Sequence, residues 1–126
     1  MPIPPNQPPC PETPNCVSSR AEEEEKLVSP LPFSGAWEPV MKRLAGLVSE
    51  MSGARVAEAD GPYLRATFRS RVFGFVDDLE LLADPEASVV HVRSASRTGT
   101  WDLGANRRRV ESLRAAYLAK DQPRED

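Results

Sequence analysis

The chain has 126 residues, 40% of them hydrophobic and 28% charged, with a formal net charge of −3. Once the proline-rich start and the charged end are set aside, roughly ninety residues are left for a single modest core. The mildly acidic balance, pI near 5.3, gives no basic footprint for a nucleic-acid partner. No stretch approaches the ~18 apolar residues of a membrane span, and the start lacks the basic-then-apolar pattern of a signal peptide. The chain as it stands reads as soluble and cytoplasmic.

Residues 1–32 read as an extended arm. Pro2, Pro4, Pro5, Pro8, Pro9, Pro11 and Pro14 forbid helix and leave the backbone polyproline-like or looped. Glu22 to Glu25 form a self-repelling, solvated run. Between them Asn15, Cys16, Val17, Ser18 and Ser19 are compact turn-formers expected to dock on the domain. Cys10 and Cys16 stand with five residues between them. Reduced thiols, a disulfide across the small loop and a metal pair are all compatible with that. The spacing is wider than a metal-binding CxxC, and His91 is the single histidine available to complete such a site. A reducing compartment favours the thiols.

The domain proper is expected over 33–120. Trp37, Val40, Met41, Leu44, Leu47, Val48 and Met51 recur at helical spacing and predict a helix from about Gly35 to Met51. Pro39 fits only in its first turn, and Ser52-Gly53 ends it. Four strands follow on alternation: Arg55–Ala59, Tyr63–Arg71, Leu79–Ala83 and Val89–Ala95, with an apolar step from Val72 to Val76 that suggests a bulge near Gly74. If Pro85 and Glu86 are the centre of a tight turn, Leu81 faces Val90 and Leu79 faces Val92. Glu80 then meets His91 and Asp78 meets Arg93 on the other side.

A second helix is expected from Asp102 to about Lys120, with Asp102 as N-cap. Leu103, Val110, Leu113 and Tyr117 mark its buried stripe, on which the amide of Asn106 also falls. Arg107 sits at the stripe's edge, and Arg108 and Arg109 point outward. Residues 121–126 read as a disordered tail. The order of elements predicts an α+β fold: extended arm, helix, four-stranded antiparallel sheet, and a C-terminal helix packed on one face.

The join from Val92 to Arg109, VRSASRTGTWDLGANRRR, is too long and too polar for a plain connection. Together with CPETPNCVSS and FGFVDDLELL, in that order along the chain, it resembles the bacterial and plastid family catalogued as domain of unknown function 1499. The resemblance runs from Cys10 to about Leu118. Its signature polar positions fall on Cys10, Asn15, Cys16, Ser18, Ser19, Asp77, Asp78, Arg93, Ser94, Ser96, Arg97, Asp102, Asn106, Arg107 and Arg109. The family implies an envelope or thylakoid setting for many members, but no catalytic residue, metal or cofactor.

Four chemistries can be weighed for these residues. A hydrolase or transferase would use Cys16 or a serine of the RSASR segment, but no G-x-S-x-G elbow is present and His91 is expected opposite Glu80. A cation site could use Asp77, Asp78 and Asp102, for which Arg93, Arg97 and Arg107 compete. An anion cradle could be built from Arg93, Ser94, Ser96, Arg97, Thr98, Thr100 and Arg107 at the helix start near Asp102. In the fourth reading, the arginines and Asn106 brace the join and the arm residues Asn15, Cys16 and Ser18 lie over it. A non-catalytic domain is favoured, binding a small anion or presenting a surface to a protein or envelope partner. The anion-cradle and bracing readings both require the last strand's arginines, the second helix start and the NCVSS segment to converge.

Overall fold

The computed structural model describes residues 10–11, 13–70, 74–99 and 102–120. The early prolines from Pro2 to Pro9, the apolar step at Val72 and Phe73, Thr100 and the expected tail at 121–126 lie outside the described residues. In chain order the elements are β1 (Cys16–Ser18), a short 3-10 turn (Glu24–Lys26), β2 (Leu31–Pro32), α1 (Trp37–Ser49), β3 (Ala54–Asp60), β4 (Tyr63–Arg69), β5 (Val76–Asp84), β6 (Val89–Ser96) and α2 (Ala105–Lys120).

The strands make one six-stranded antiparallel sheet in the order β1-β6-β5-β4-β3, with β2 also paired to β6. The sequence predicts four strands, and the two additional ones come from the arm. β1 sets Cys16 opposite Ala95 and Ser18 opposite Arg93, while β2 sets Leu31 opposite Val90. Each is too short to show an alternation of its own. They form because β6 otherwise presents a row of unpaired amides and carbonyls.

The register of the β5–β6 hairpin differs from the expected one by two residues. Asp84 pairs with Val89, so Leu81 faces Val92, Leu79 faces Ser94, Glu80 faces Arg93 and Leu82 faces His91. A two-residue hairpin turn needs a positive φ at its first central position, and the Pro85 ring forbids it. The chain uses a longer loop, with Ser88 at φ 58 and the Asp84 carboxylate accepting the amides of Glu86 and Ala87. Because the shift is even, every side chain keeps its expected face. The irregularity in the described ladder lies between Val56 and Glu58, opposite β4.

One face of the sheet is apolar, in rows set by this register: Ala83 with Val90 and Leu31, Leu64 with Leu81 and Val92, Ala66 with Leu79 and Ser94. The buried side of α1 (Val40, Met41, Leu44, Leu47, Val48) and that of α2 (Val110, Leu113, Tyr117) join these residues in one core. Pro39 lies in the first turn of α1, where its missing N–H leaves no bond unmade. Gly53 turns the chain into β3 at φ 78. A Cβ there would stand 2.6 Å from the Arg69 carbonyl oxygen, so only glycine fits.

Candidate functional site

The apolar face changes character at one end. The last row is Phe68, Asp77 and Ser96, next to the row that ends in Ser94. The first turn of α2 lies over these two rows, and its Asn106 is fully buried. Asn106 falls on the helix's inward stripe with Val110, Leu113 and Tyr117, so an amide enters the core and must be satisfied there. Its Nδ2 donates to Asn15 O at 3.1 Å, Ser96 Oγ at 3.0 Å and Asp102 Oδ2 at 2.7 Å. Its Oδ1 accepts from Ser94 Oγ and Arg109 Nη1, each at 2.7 Å. Asn15 completes the hub, since its Nδ2 donates to Gly99 O at 2.6 Å and its carbonyl accepts the Ser96 amide at 3.0 Å.

Asp102 caps α2, its carboxylate accepting the amides of Gly104 at 2.8 Å and Asn106 at 3.1 Å. Burial pushes its carboxyl up, but these amides and the Asn106 side chain outweigh that and hold it below the ordinary carboxylate range. The Ala105 amide bonds to the Asp102 carbonyl, so the amides that open α2 are already engaged. The helix itself begins at Ala105, and Leu103, expected in the buried stripe, is 68% exposed at φ 55.

Arg109 was expected to point outward and instead turns in. It lies one turn beyond Asn106, at the stripe's margin, and its long stem carries the guanidinium under the helix. Nη1 donates to Ser94 Oγ and Asn106 Oδ1, and Nη2 stands 2.9 Å from Asp77 Oδ2. The guanidinium carbon lies 4.5 Å from the centre of the Phe68 ring. Above this pair opens a cavity of about 560 Å³. Phe68, Phe75 and Ala105 form its apolar walls, while Arg69, Arg109, Asp77 and Asp102 bring charge and Ser52, Ser70, Ser96 and Thr98 bring hydroxyls. The sequence offers Asp77 as a cation ligand and not as the partner of Arg109, and Arg109, Phe68 and Phe75 are missing from the candidate set. The signature positions of the resembled family did include Asp77 and Arg109.

The convergence expected of the last strand's arginines does not occur. Arg93 and Arg97 alternate with Ser94 and Ser96 and project from the opposite face of the sheet. There Arg93 meets Glu80 at 3.0 Å, while Arg97 donates to both oxygens of Asp78 at 2.8 and 3.0 Å. The Arg97 bonds hold the Asp78 carboxyl below its ordinary range against the effect of burial. Tyr63 donates to Glu80 at 2.7 Å, and burial together with that carboxylate pushes the phenol up. Arg107 clamps the arm, donating to Leu27 O at 3.2 Å and Glu25 O at 2.7 Å. Ser18 accepts the Arg20 amide at 3.1 Å and lies outside the hub.

Cys16 is bonded to Cys10 and buried, so it is neither a free thiol nor a metal ligand. Asp78 and Asp77 project from opposite faces of β5. Among the described residues no group of three or more His, Cys, Asp or Glu could hold a metal ion. Ser19 Oγ lies 3.3 Å from His91 Nδ1, and His91 Nε2 lies 3.2 Å from Asp84 Oδ2. These are the residue types of a nucleophilic triad, but the ring nitrogens are exchanged relative to that arrangement and Ser19 Oγ accepts the Val92 amide at 2.9 Å. The trio pins the turn after β1 to β6.

An antiparallel sheet carrying two helices on one face, strapped along one edge by its own N-terminal arm, defines a small α+β domain with a cleft at the polar end of its core. The chain belongs to the family described as protein of unknown function (DUF1499), whose pattern matches residues 7–117. No curated protein and no solved structure matches it significantly. No helix among the described residues is long and apolar enough to cross a membrane.

Proposed function

We propose that this chain is a non-catalytic binding domain whose cleft takes a small ligand with an anionic head. The cavity of about 560 Å³ directly over the Arg109–Asp77 pair carries this reading, being the size of a metabolite site and setting charged and hydroxyl groups beside apolar walls. Asn106, Ser94 and Ser96 act beneath it as a brace that fixes Arg109. Arg109 also lines the cavity, where its guanidinium can receive an acceptor entering the cleft. Arg93, Arg97 and Arg107 have other duties, so Arg109 takes the role first assigned to them. Against an enzyme stand the bonded Cys16 and the engagement of Ser94 and Ser96 with Asn106.

The test is a thermal-shift titration of the full chain with acetate, phosphate and benzoate. At least one should raise the midpoint. Ala105→Leu, which narrows the cleft without touching the hub, should abolish the gain. An undiminished gain in that variant would place the site elsewhere, and no gain from any of the three would remove the anionic ligand. A partner surface is the second reading, favoured by Leu103 and by Phe75, which are 68% and 57% exposed.

A further inference from the structure

Resting on that reading, we infer that the ligand is a phosphate monoester with a hydroxyl-bearing body, a sugar or polyol phosphate. Its phosphoryl head sits in a groove beside the cavity, and its body fills the cavity. Three observations lead there. The first is how charge is divided. The groove shares Ser52, Phe68, Ala105 and Arg109 with the cavity and extends to Met51, Arg108 and Ser112. Of the described residues that line it, the charged ones are Arg108 and Arg109. The cavity itself carries both signs, Arg69 and Arg109 against Asp77 and Asp102. An anionic head is favoured where the lining is cationic and disfavoured deeper in, where it meets two carboxylates.

The second is the number of donors at the groove. Arg109 is held by Ser94, Asn106 and Asp77, so its direction is set before any ligand arrives. Arg108 bonds a neutral acceptor, the Leu103 carbonyl at 2.7 Å, which leaves its charge unbalanced by that contact. The hydroxyls of Ser52 and Ser112 stand at the same groove. Two guanidiniums and two hydroxyls exceed what the pair of oxygens on a carboxylate can engage. A phosphoryl group, with three terminal oxygens and up to two charges, can use them.

The third is the mixed lining of the cavity. Asp77 and Asp102 bring acceptor oxygens, and Ser70, Ser96 and Thr98 bring hydroxyls. Ser96 Oγ accepts from Asn106 Nδ2 and Ser70 Oγ accepts the Phe75 amide, so each has its own hydrogen to give. A wall that both donates and accepts matches ligand hydroxyls, which do the same. A hydrocarbon body would strip water from these groups and return no bond. The volume of about 560 Å³ admits a body the size of a hexose.

Calorimetric titration of the full chain with glucose 6-phosphate, glucuronate, glucose and methyl phosphate tests each element. The sugar phosphate should bind about tenfold or more tightly than each of the other three. Arg108→Gln, at an exposed position, should weaken the sugar phosphate about tenfold and leave glucose unchanged. Thr98→Val, also exposed, should weaken the sugar phosphate and leave methyl phosphate unchanged. If glucuronate equals the sugar phosphate, the phosphoryl group is wrong while an anionic head survives. If methyl phosphate equals it, the hydroxyl-bearing body is wrong. If glucose equals it, the anionic head falls, and the proposed function with it. An indifferent Arg108→Gln would overturn the groove as the seat of the head, and an indifferent Thr98→Val the hydroxyl lining. If none of the four binds, this inference is lost, and the reading beneath it stands or falls with the acetate, phosphate and benzoate titration.

Discussion

Asn106 joins α2, β6 and the arm through one amide, and a fully buried amide with five bonds has no substitute of the same shape. Asn106→Leu keeps the volume but removes one partner each from Ser94, Arg109 and the Asn15 carbonyl, and two acceptors of the hub, Ser96 Oγ and Asp102 Oδ2, lose its donor. It should cost about 1–3 kcal/mol or more, read from urea denaturation. Arg97→Ala removes an exposed pair on the other face and should leave the denaturation midpoint nearly unchanged. It should also leave any ligand affinity untouched. Asn106 was legible because a lone amide on an apolar stripe has to be satisfied. Arg109 was not, because helical spacing gives the direction of a Cβ and not the reach of a long stem. The misplacement of Arg93 and Arg97 was avoidable. Residues that alternate with Ser94 and Ser96 along a strand cannot share their face.

The arm is the element where pattern reading had least to work with. β1 and β2 contain three and two residues, shorter than any usable period, and their conformation is set by the β6 edge. The meander was readable because its strands alternate. The β5–β6 register slipped by two because the hydrophobic pattern accepts either alignment, and only the fixed φ of Pro85 distinguishes them. The Cys10–Cys16 bond closes the loop that carries Asn15, and the Pro11 carbonyl within that loop accepts from the buried Lys26. The double variant Cys10→Ser, Cys16→Ser should lose about 2 kcal/mol, the loop-closure value for so short a ring. Amide hydrogen exchange should rise first at Cys16–Ser18, with β3–β5 unchanged. Gly53→Ala, at φ 78 and 2.6 Å from a carbonyl, should destabilise by more than about 1 kcal/mol, visible in the same denaturation series.

At the scale of the molecule, three carboxyls held below their ordinary range set the acid limit. Asp78 is held by Arg97 against burial. In Asp84 and Asp102 the effect of burial is outweighed, by His91 and turn amides in one and by Asn106 and helix amides in the other. A depressed native pKa contributes stability that is complete above the unfolded value, about 4, and is lost as pH falls through the native one. The melting midpoint, as far as these groups determine it, should therefore hold steady from pH 7 to about 5 and decline below about 4. Asp102→Asn should show a shallower decline.

The strap along β6 also bears on the order in which the molecule can be completed. Asn15 and Asn106 are 91 positions apart, so the segment synthesised early waits for the last strand and the last helix before it has anything to hold. Contacts of such span are slow to form. A nascent chain carrying the meander alone would display a naked β6 border, and a neighbouring chain's arm could occupy it as readily as its own. Rapid dilution at high protein concentration should accordingly yield exchanged dimers, separable by gel filtration, whereas refolding at low concentration should return monomers.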